Sequence, residues 1–201
     1  MKPLPFDARR LKGLSERLIT SHWENNYGGA VKALAALKPM LADAMANPDM
    51  PPFVYNALKR EHLLRTGSVV LHELYFGNLG GGGHADSALR TSIADAFGSF
   101  DAWEAEFRRI GAGLGGGSGW AVLGYNPQGG MLENFWMADH AHGAVSSMPL
   151  LVMDMYEHSY QMDYGAEAAR YIDAFFDNIR WEVVARRLAA VQRDTGVKGL
   201  G

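Results

Sequence analysis

The amino-acid sequence predicts an α+β fold, a long N-terminal α-hairpin followed by a C-terminal α/β domain with a small three-stranded antiparallel sheet. Three observations carry that prediction. Two long stretches near the N-terminus hold apolar residues at helical spacing, separated by the breakers Asn47-Pro48 and Pro51-Pro52. Gly80-Gly-Gly-Gly83, a linker in composition, follows them. Past residue 118 the apolar runs shorten and are joined by Pro/Gly turn chemistry. The expected division is a helical hairpin domain over residues 1–84 and an α+β domain with C-terminal helices over residues 85–201.

Residues 11–45 form the first predicted helix, with a kink expected at Gly28-Gly29. Residues 53–79 form the second, which stops at the glycine run and pairs with the first as an antiparallel hairpin. Helical periodicity returns over residues 86–97 and 100–114, where Ser99 is a suitable N-cap. Residues 118–125 and 131–137 read as strands joined by the turn Asn126-Pro-Gln-Gly-Gly130. The apolar run Pro149-Leu-Leu-Val-Met153 is a third strand, ending at Asp154, and helices over residues 166–178 and 181–193 close the chain. Gly111-Ala-Gly113-Leu-Gly-Gly116 matches a dinucleotide fingerprint on paper only, because it follows a helix and precedes a strand, the reverse of the required order.

At 201 residues and 22.0 kDa the chain can bury a substantial core. Its net charge of −3 provides no broad basic surface, which argues against nucleic acid and anionic membranes as partners. No apolar run approaches membrane-spanning length. The stretch Met1-Lys-Pro-Leu-Pro-Phe-Asp-Ala-Arg-Arg10 lacks the apolar core of a signal peptide, so the expected compartment is the cytoplasm. There is no cysteine, hence neither disulfide nor thiolate ligand. Any metal must be held by His, Asp or Glu, which favours a hard or borderline ion.

Chemistry concentrates at Asp154-Met-Tyr-Glu-His158. A carboxylate and an imidazole four positions apart at the end of a buried strand can converge on one point, where an uncompensated charge is costly and a metal ion compensates it. On these residues alone, Asp154 as a helix N-cap beside an ordinary polar His158 is the stronger reading, so the other histidines must decide. His62 in a charged stretch and His84 in the glycine run read as solvent-facing. His72-Glu73 invites comparison with the zinc motif H-E-x-x-H and fails it, because position 76 is Phe. His22, as a lone helical histidine, is more often a packed or surface residue than a ligand.

Met148-Pro-Leu-Leu-Val-Met-Asp-Met-Tyr-Glu-His-Ser-Tyr160 resembles the C-terminal metal-ligand signature of the iron/manganese superoxide dismutases, whose pattern is D-x-W-E-H-A-Y, with Tyr156 at its Trp. Thr66-Gly-Ser-Val-Val-Leu-His72-Glu-Leu-Tyr-Phe76 is similar to the family's N-H-S-L-F-W stretch, which carries the second ligand. Ser15, seven residues before His22, and Val31 match the surroundings of the first ligand. A register that puts Tyr27 on the family's gateway Tyr places Ile19 at the ligand and misplaces Ser15, so it is rejected. The resemblance covers the chain from Leu4-Pro-Phe6 to about residue 193. It implies His22, His72, Asp154 and His158 as ligands of one Fe or Mn ion per subunit, and superoxide as the substrate, disproportionated to dioxygen and hydrogen peroxide. It also implies an antioxidant homodimer in which Glu157 reaches the partner subunit's His158.

Counting back from Asp154 places His140 where the family usually has a Gln that hydrogen-bonds solvent on the metal. Ser68, at the alternative origin of such an amide, leaves it space. Trp120 falls at a wall of the family's active site. Ala30 replaces the gateway Tyr, Asn26 the gateway His, Tyr27 the His after it, and Gln161 the Tyr three residues beyond the last ligand. The expected catalytic residues are therefore His140, Tyr27, Asn26 and Trp120, with Tyr27 the nearest hydroxyl left at the entrance. Two other readings remain: a related metal oxidoreductase acting on peroxide or an organic substrate, and a non-catalytic metal-binding homologue.

Overall fold

The computed structural model describes residues 1–145 and 147–194. Ser15 opens the first helix: its Oγ accepts from the Leu18 N–H at 3.1 Å, while its own N–H and hydroxyl donate to the Asp163 carboxylate, each at 2.7 Å. Helix α1 (Glu16–Ser21) runs into a π-helical segment, His22–Tyr27, and then into α2 (Gly28–Ala46). The helix thus begins later than periodicity predicts, because Gly13 has a positive φ of 71° and Ser15 caps the helix after it. The irregularity expected at the glycine pair lies just ahead of it, where the chain is wound with wider π turns. Pro52 then opens α3 (Pro52–Gly77), which packs on α2 as the predicted hairpin.

Helices α4 (Ser87–Phe97) and α5 (Phe100–Leu114) are capped by Asp86 and Ser99, whose side chains accept from the N–H groups of Leu89 and Ala102 at 2.8 and 3.0 Å. Strands β1 (Trp120–Asn126), β2 (Met131–Met137) and β3 (Met148–Asp154) form an antiparallel sheet in the order β2-β1-β3. The central strand is buried along nearly its whole length, and the register sets Trp120 directly across from Asp154. A 3-10 turn (Glu157–Ser159), α6 (Gln161–Tyr164), α7 (Ala168–Asp177) and α8 (Trp181–Asp194) follow. Helices α3 and α8 pack on β3, and α5 packs on β1 and β2. One apolar core unites these layers, from Leu14 and Leu18 through Tyr75 and Leu79 to Trp120, Leu151 and Phe175. No helix among the described residues is long and apolar enough to cross a membrane.

The glycine run is not the loose linker its composition predicts. The N–H groups of Gly81 and Gly83 donate to the carbonyls of Asn178 and Ile179 at 3.0 and 3.1 Å, and a Cβ at Gly81 would lie 2.4 Å from the Arg180 Cα. Glycine here permits one backbone to lie on another. Beside this crossing, Asn78 and Asn178 are buried and bonded at both ends of their amides. Asn78 Nδ2 donates to the carbonyls of Tyr75 and Val152 at 3.0 and 3.2 Å, and its Oδ1 accepts from the Val152 N–H at 3.0 Å. Asn178 Oδ1 accepts from the Lys12 N–H at 2.9 Å, and its Nδ2 donates to the carbonyls of Lys12 and Ala174, each at 2.7 Å.

Candidate metal centre

Strand β3 delivers Asp154 as its last residue. The Tyr156 N–H donates to Asp154 Oδ1 at 2.9 Å, and the Asp154 carbonyl accepts from Ser159 Oγ and the Tyr171 hydroxyl at 2.9 and 2.6 Å. The strand end is thereby pinned, with the second carboxylate oxygen left to face three imidazoles. The 3-10 turn brings His158 back over it, with Nε2 3.2 Å from Oδ2. The π-helical segment starts with His22, whose Nε2 is 3.1 Å away, and α3 presents His72, whose Nε2 is 3.6 Å away. The four potential ligand atoms lie within 4.8 Å of one another.

His72 Nδ1–H donates to the Ser68 carbonyl at 2.7 Å, which leaves the lone pair of Nε2 directed at the centre. Burial pushes His22 down, and burial together with His22 pushes His72 down to about 3. Burial pushes the Asp154 carboxyl up, but the neighbouring imidazoles of His158 and His22 outweigh it and hold the group well below the usual carboxylate range. The carboxylate is thus buried with His22 and His72, two imidazoles whose protonation burial disfavours.

Among the described residues, both ring nitrogens of His22 and Nε2 of His72 have no hydrogen-bond partner. His22 Nε2 is close to Asp154 Oδ2 but is not aligned for a hydrogen bond. Orphaned polar atoms in a dry pocket are expensive to bury, and a cation at the point of convergence satisfies the inward-facing ones together. Donors ~2.1 Å from a shared ion stand ~3.0 Å apart at a right angle and ~3.6 Å apart at 120°. The separations from Oδ2 fall in that range. Three neutral nitrogens and one carboxylate suit a borderline first-row ion better than calcium or magnesium, which take oxygen ligands.

Around the four residues, Trp120 is fully buried and donates Nε1–H to His140 Nδ1 at 3.1 Å. A neutral His140 therefore carries its proton on Nε2. Burial pushes His140 down as well. Tyr156 stacks on both His140 and His158, with ring centroids 4.7 and 5.3 Å away and planes within 16° and 15° of parallel. Burial, followed by the Asp154 charge, pushes its phenol up to about 12. His140 comes this close because α3 has no side chain at Gly67, where a Cβ would stand 1.8 Å from the His140 carbonyl oxygen.

Asn25, Asn26, Gly29, Ala30, Arg65 and Ser68 ring a recess of about 210 Å³ that opens onto His72, His140 and His158. His158 is the exposed ligand, with 25% of its side chain accessible, while His22 and Asp154 have none. The structure thus brings His22, His72, Asp154, His158, His140, Trp120 and Asn26 to one place. Tyr27 is not at this entrance. Its hydroxyl accepts from the Lys2 N–H and donates to Glu73 Oε1, each at 2.9 Å, and it lines a separate recess with Trp23 and Arg180. The π-helical segment between His22 and Tyr27 breaks the α-helical spacing on which a sequence placement of that hydroxyl depends. Arg65, Gly67 and the stacking of Tyr156 were missed. Arg65, Ser68 and His72 recur at i, i+3 and i+7 on one helical face, a signal that could have found the first.

The chain matches the family description "Iron/manganese superoxide dismutases, C-terminal domain" over residues 85–187. It is 54% identical to the Superoxide dismutase [Fe] of Cupriavidus metallidurans over 194 residues, covering 96% of this chain and 98% of that protein. It is 34% identical to the Superoxide dismutase [Mn] of Haloarcula marismortui, over 92% of this chain and 91% of that one. A third relative, the Superoxide dismutase [Fe] of Aquifex aeolicus, is 36% identical over 89% of this chain and 86% of its own length.

Proposed function

The chain belongs to the iron/manganese superoxide dismutase family, and from that membership and the geometry of the centre we infer that it disproportionates superoxide at one Fe or Mn ion held by His22, His72, Asp154 and His158. Two superoxide anions and two protons give one dioxygen and one hydrogen peroxide. The convergence of three Nε2 atoms on Asp154 Oδ2, two of them without a hydrogen-bond partner, is the observation that carries this conclusion. When bound, the ion supplies the one-electron chemistry by alternating between two oxidation states. The rest is done by side chains. Asp154 lowers the net charge of the centre and is held in place by the Tyr156 N–H. The Ser68 carbonyl keeps the His72 proton on Nδ1. Trp120 keeps the His140 proton on Nε2, so that His140 offers a donor where the family usually offers an amide.

Asn26 is assigned to the wall of the entrance. Tyr27 acts from behind the centre, holding Glu73 next to the ligand His72. The recess is smaller than the ~300 Å³ at which pockets for organic ligands begin, which favours a diatomic substrate over an organic one. Direct superoxide decay, measured on protein of known metal content after loading with each metal, tests the assignment. Fully loaded protein without superoxide turnover overturns it, and turnover of a phenolic substrate or peroxide in its place selects the related oxidoreductase.

A homodimer is proposed through Glu157, whose exposed carboxylate has no hydrogen bond or ion pair within the chain among the described residues and is free to reach the partner subunit's His158. Sedimentation at micromolar concentration should give twice the chain mass, and Glu157→Gln should weaken both association and metal retention. The family match starting at residue 85 supports the division into residues 1–84 and 85–201. The proposed compartment is the cytoplasm, and cell fractionation tests it.

A further inference from the structure

We propose that Arg65 is an anion guide, whose guanidinium draws superoxide into the recess over His72 and His158; this rests on the dismutase reading above. Of the groups that line the recess, Arg65 alone carries a permanent charge. The remainder are amides, a hydroxyl, imidazoles, glycine and alanine. Helix α3 sets Arg65, Ser68 and His72 on one face, so Arg65 starts two turns, ~10.5 Å along the axis, from the ligand. That is close to the ~10 Å Debye length at ~0.1 M ionic strength, so the charge acts on an incoming ion at low salt and is increasingly screened as salt rises.

The need for such a group is visible in the surroundings. The chain as a whole has a net charge of −3, which repels an approaching anion. Ala30 and Asn26, at positions where the family carries Tyr and His, leave the mouth without a bulky side chain. Arg65 is suited to both settings, since 37% of its side chain is exposed while the same side chain lines the recess. Its Nε–H donates to Glu61 Oε1 at 2.6 Å, and its terminal nitrogens have no hydrogen-bond partner among the described residues. Glu61 therefore fixes the guanidinium and moderates its charge, while leaving the outer donors for a passing anion. The charge is also felt at His140, where it opposes protonation.

The test uses the metal-loaded full chain and four variants: Arg65→Gln, Arg65→Lys, Glu61→Gln, and Arg10→Gln as an exposed cation outside the recess. The readout is kcat/KM for superoxide against ionic strength, together with the Kd of azide, a small anionic probe, by optical titration. Arg65→Gln should lower kcat/KM about 3- to 10-fold at low ionic strength, with the gap closing as salt rises. Arg65→Lys should recover most of the loss, Glu61→Gln should raise kcat/KM, and Arg10→Gln should have the smaller effect of a change in net charge alone. If Arg65→Gln follows the wild-type salt curve, or does no more than Arg10→Gln, the proposal is wrong. Should the wild type show no superoxide turnover, the dismutase reading fails, and azide decides separately. Weaker azide binding in Arg65→Gln then upholds the anion guide, whereas an unchanged Kd overturns it.

Discussion

Two buried polar clusters in this molecule are made in the same way and finished differently. Around Asn78 and Asn178, amides from α3 and from the end of α7 sit in the core, and the chain itself supplies their partners from Lys12, Tyr75, Val152 and Ala174. Around Asp154, three imidazoles and a carboxylate are gathered just as tightly, yet three ring nitrogens remain unbonded among the described residues. An unsatisfied buried group costs about 1–3 kcal/mol, so the second cluster is a cost to the fold that a ligand from outside offsets. Closed polar networks hold a fold together. Open convergent ones mark where a ligand belongs.

The comparison is broken most directly by exchanging the roles of its two sides. Removing a ligand, as in His72→Ala or Asp154→Ala, should reduce bound metal to a trace and activity to below about one-hundredth, whereas Asn178→Ala should retain full metal stoichiometry. Elemental analysis of the three purified variants decides, and an Asn178 variant that loses metal as the ligand variants do would remove the distinction.

Chelation should act on the open cluster alone. Stripping a metal present at a thousand times its Kd removes about 4 kcal/mol of apparent stability, read as a fall in Tm that reloading reverses. The stripped protein should also become acid-sensitive. His22 and His72 are held neutral in the fold, with His72 down to about 3, while unfolded histidines take protons below about 6.5. The unfolded state then binds more protons, so stability falls as pH drops, by up to ~1.4 kcal/mol per pH unit for each residue. A metal-free Tm that stays level between pH 7 and pH 5 contradicts this.

On the closed side, Asn178→Ala removes three hydrogen bonds and takes away the partners of the Lys12 N–H and carbonyl and of the Ala174 carbonyl. The expected loss is about 2–4 kcal/mol in chemical denaturation, with an activity per bound metal equal to the wild type's.

The smallest effect on stability is expected at the seam between the two kinds of site. Gly67→Ala pushes a Cβ into the His140 carbonyl, which should cost about 1–3 kcal/mol as an overpacked contact. Its sharper signature is local: displaced from Trp120 and Tyr156, His140 should change the optical spectrum and reduction potential of the loaded enzyme while metal content holds. A variant whose spectrum and potential match the parent's would show that the close approach is incidental.

Much of this was legible in the sequence, and the omissions share a cause. Helix α5 and strand β2 begin and end where periodicity places them, because Ser99 and the Asn126–Gly130 turn are strong local signals. The four converging residues were read from motifs around His22, His72 and Asp154–His158, and the structure assembles them. The π-helical segment was not legible, since a wider turn leaves no mark in a count based on 3.6 residues per turn, and with it went the destination of the Tyr27 hydroxyl. The glycine run was misread because close backbone packing and loose linkage demand the same residue. Contacts such as Gly67 against His140, or Tyr156 between two imidazoles, join residues from distant parts of the chain and appear only once it is folded.

His22 and His72 come from the helical half of the chain, Asp154 and His158 from the half with the sheet, and three of the four are shut away from solvent. An ion would therefore have to pass His158, the ligand with solvent access, and exchange from the folded chain should be slow beside the rise and fall of iron and manganese in a growing cell. Each folded molecule would then be a record of the supply at the moment it closed. Cells that switch from one metal to the other should carry, for a generation or more, enzyme that still holds the earlier metal.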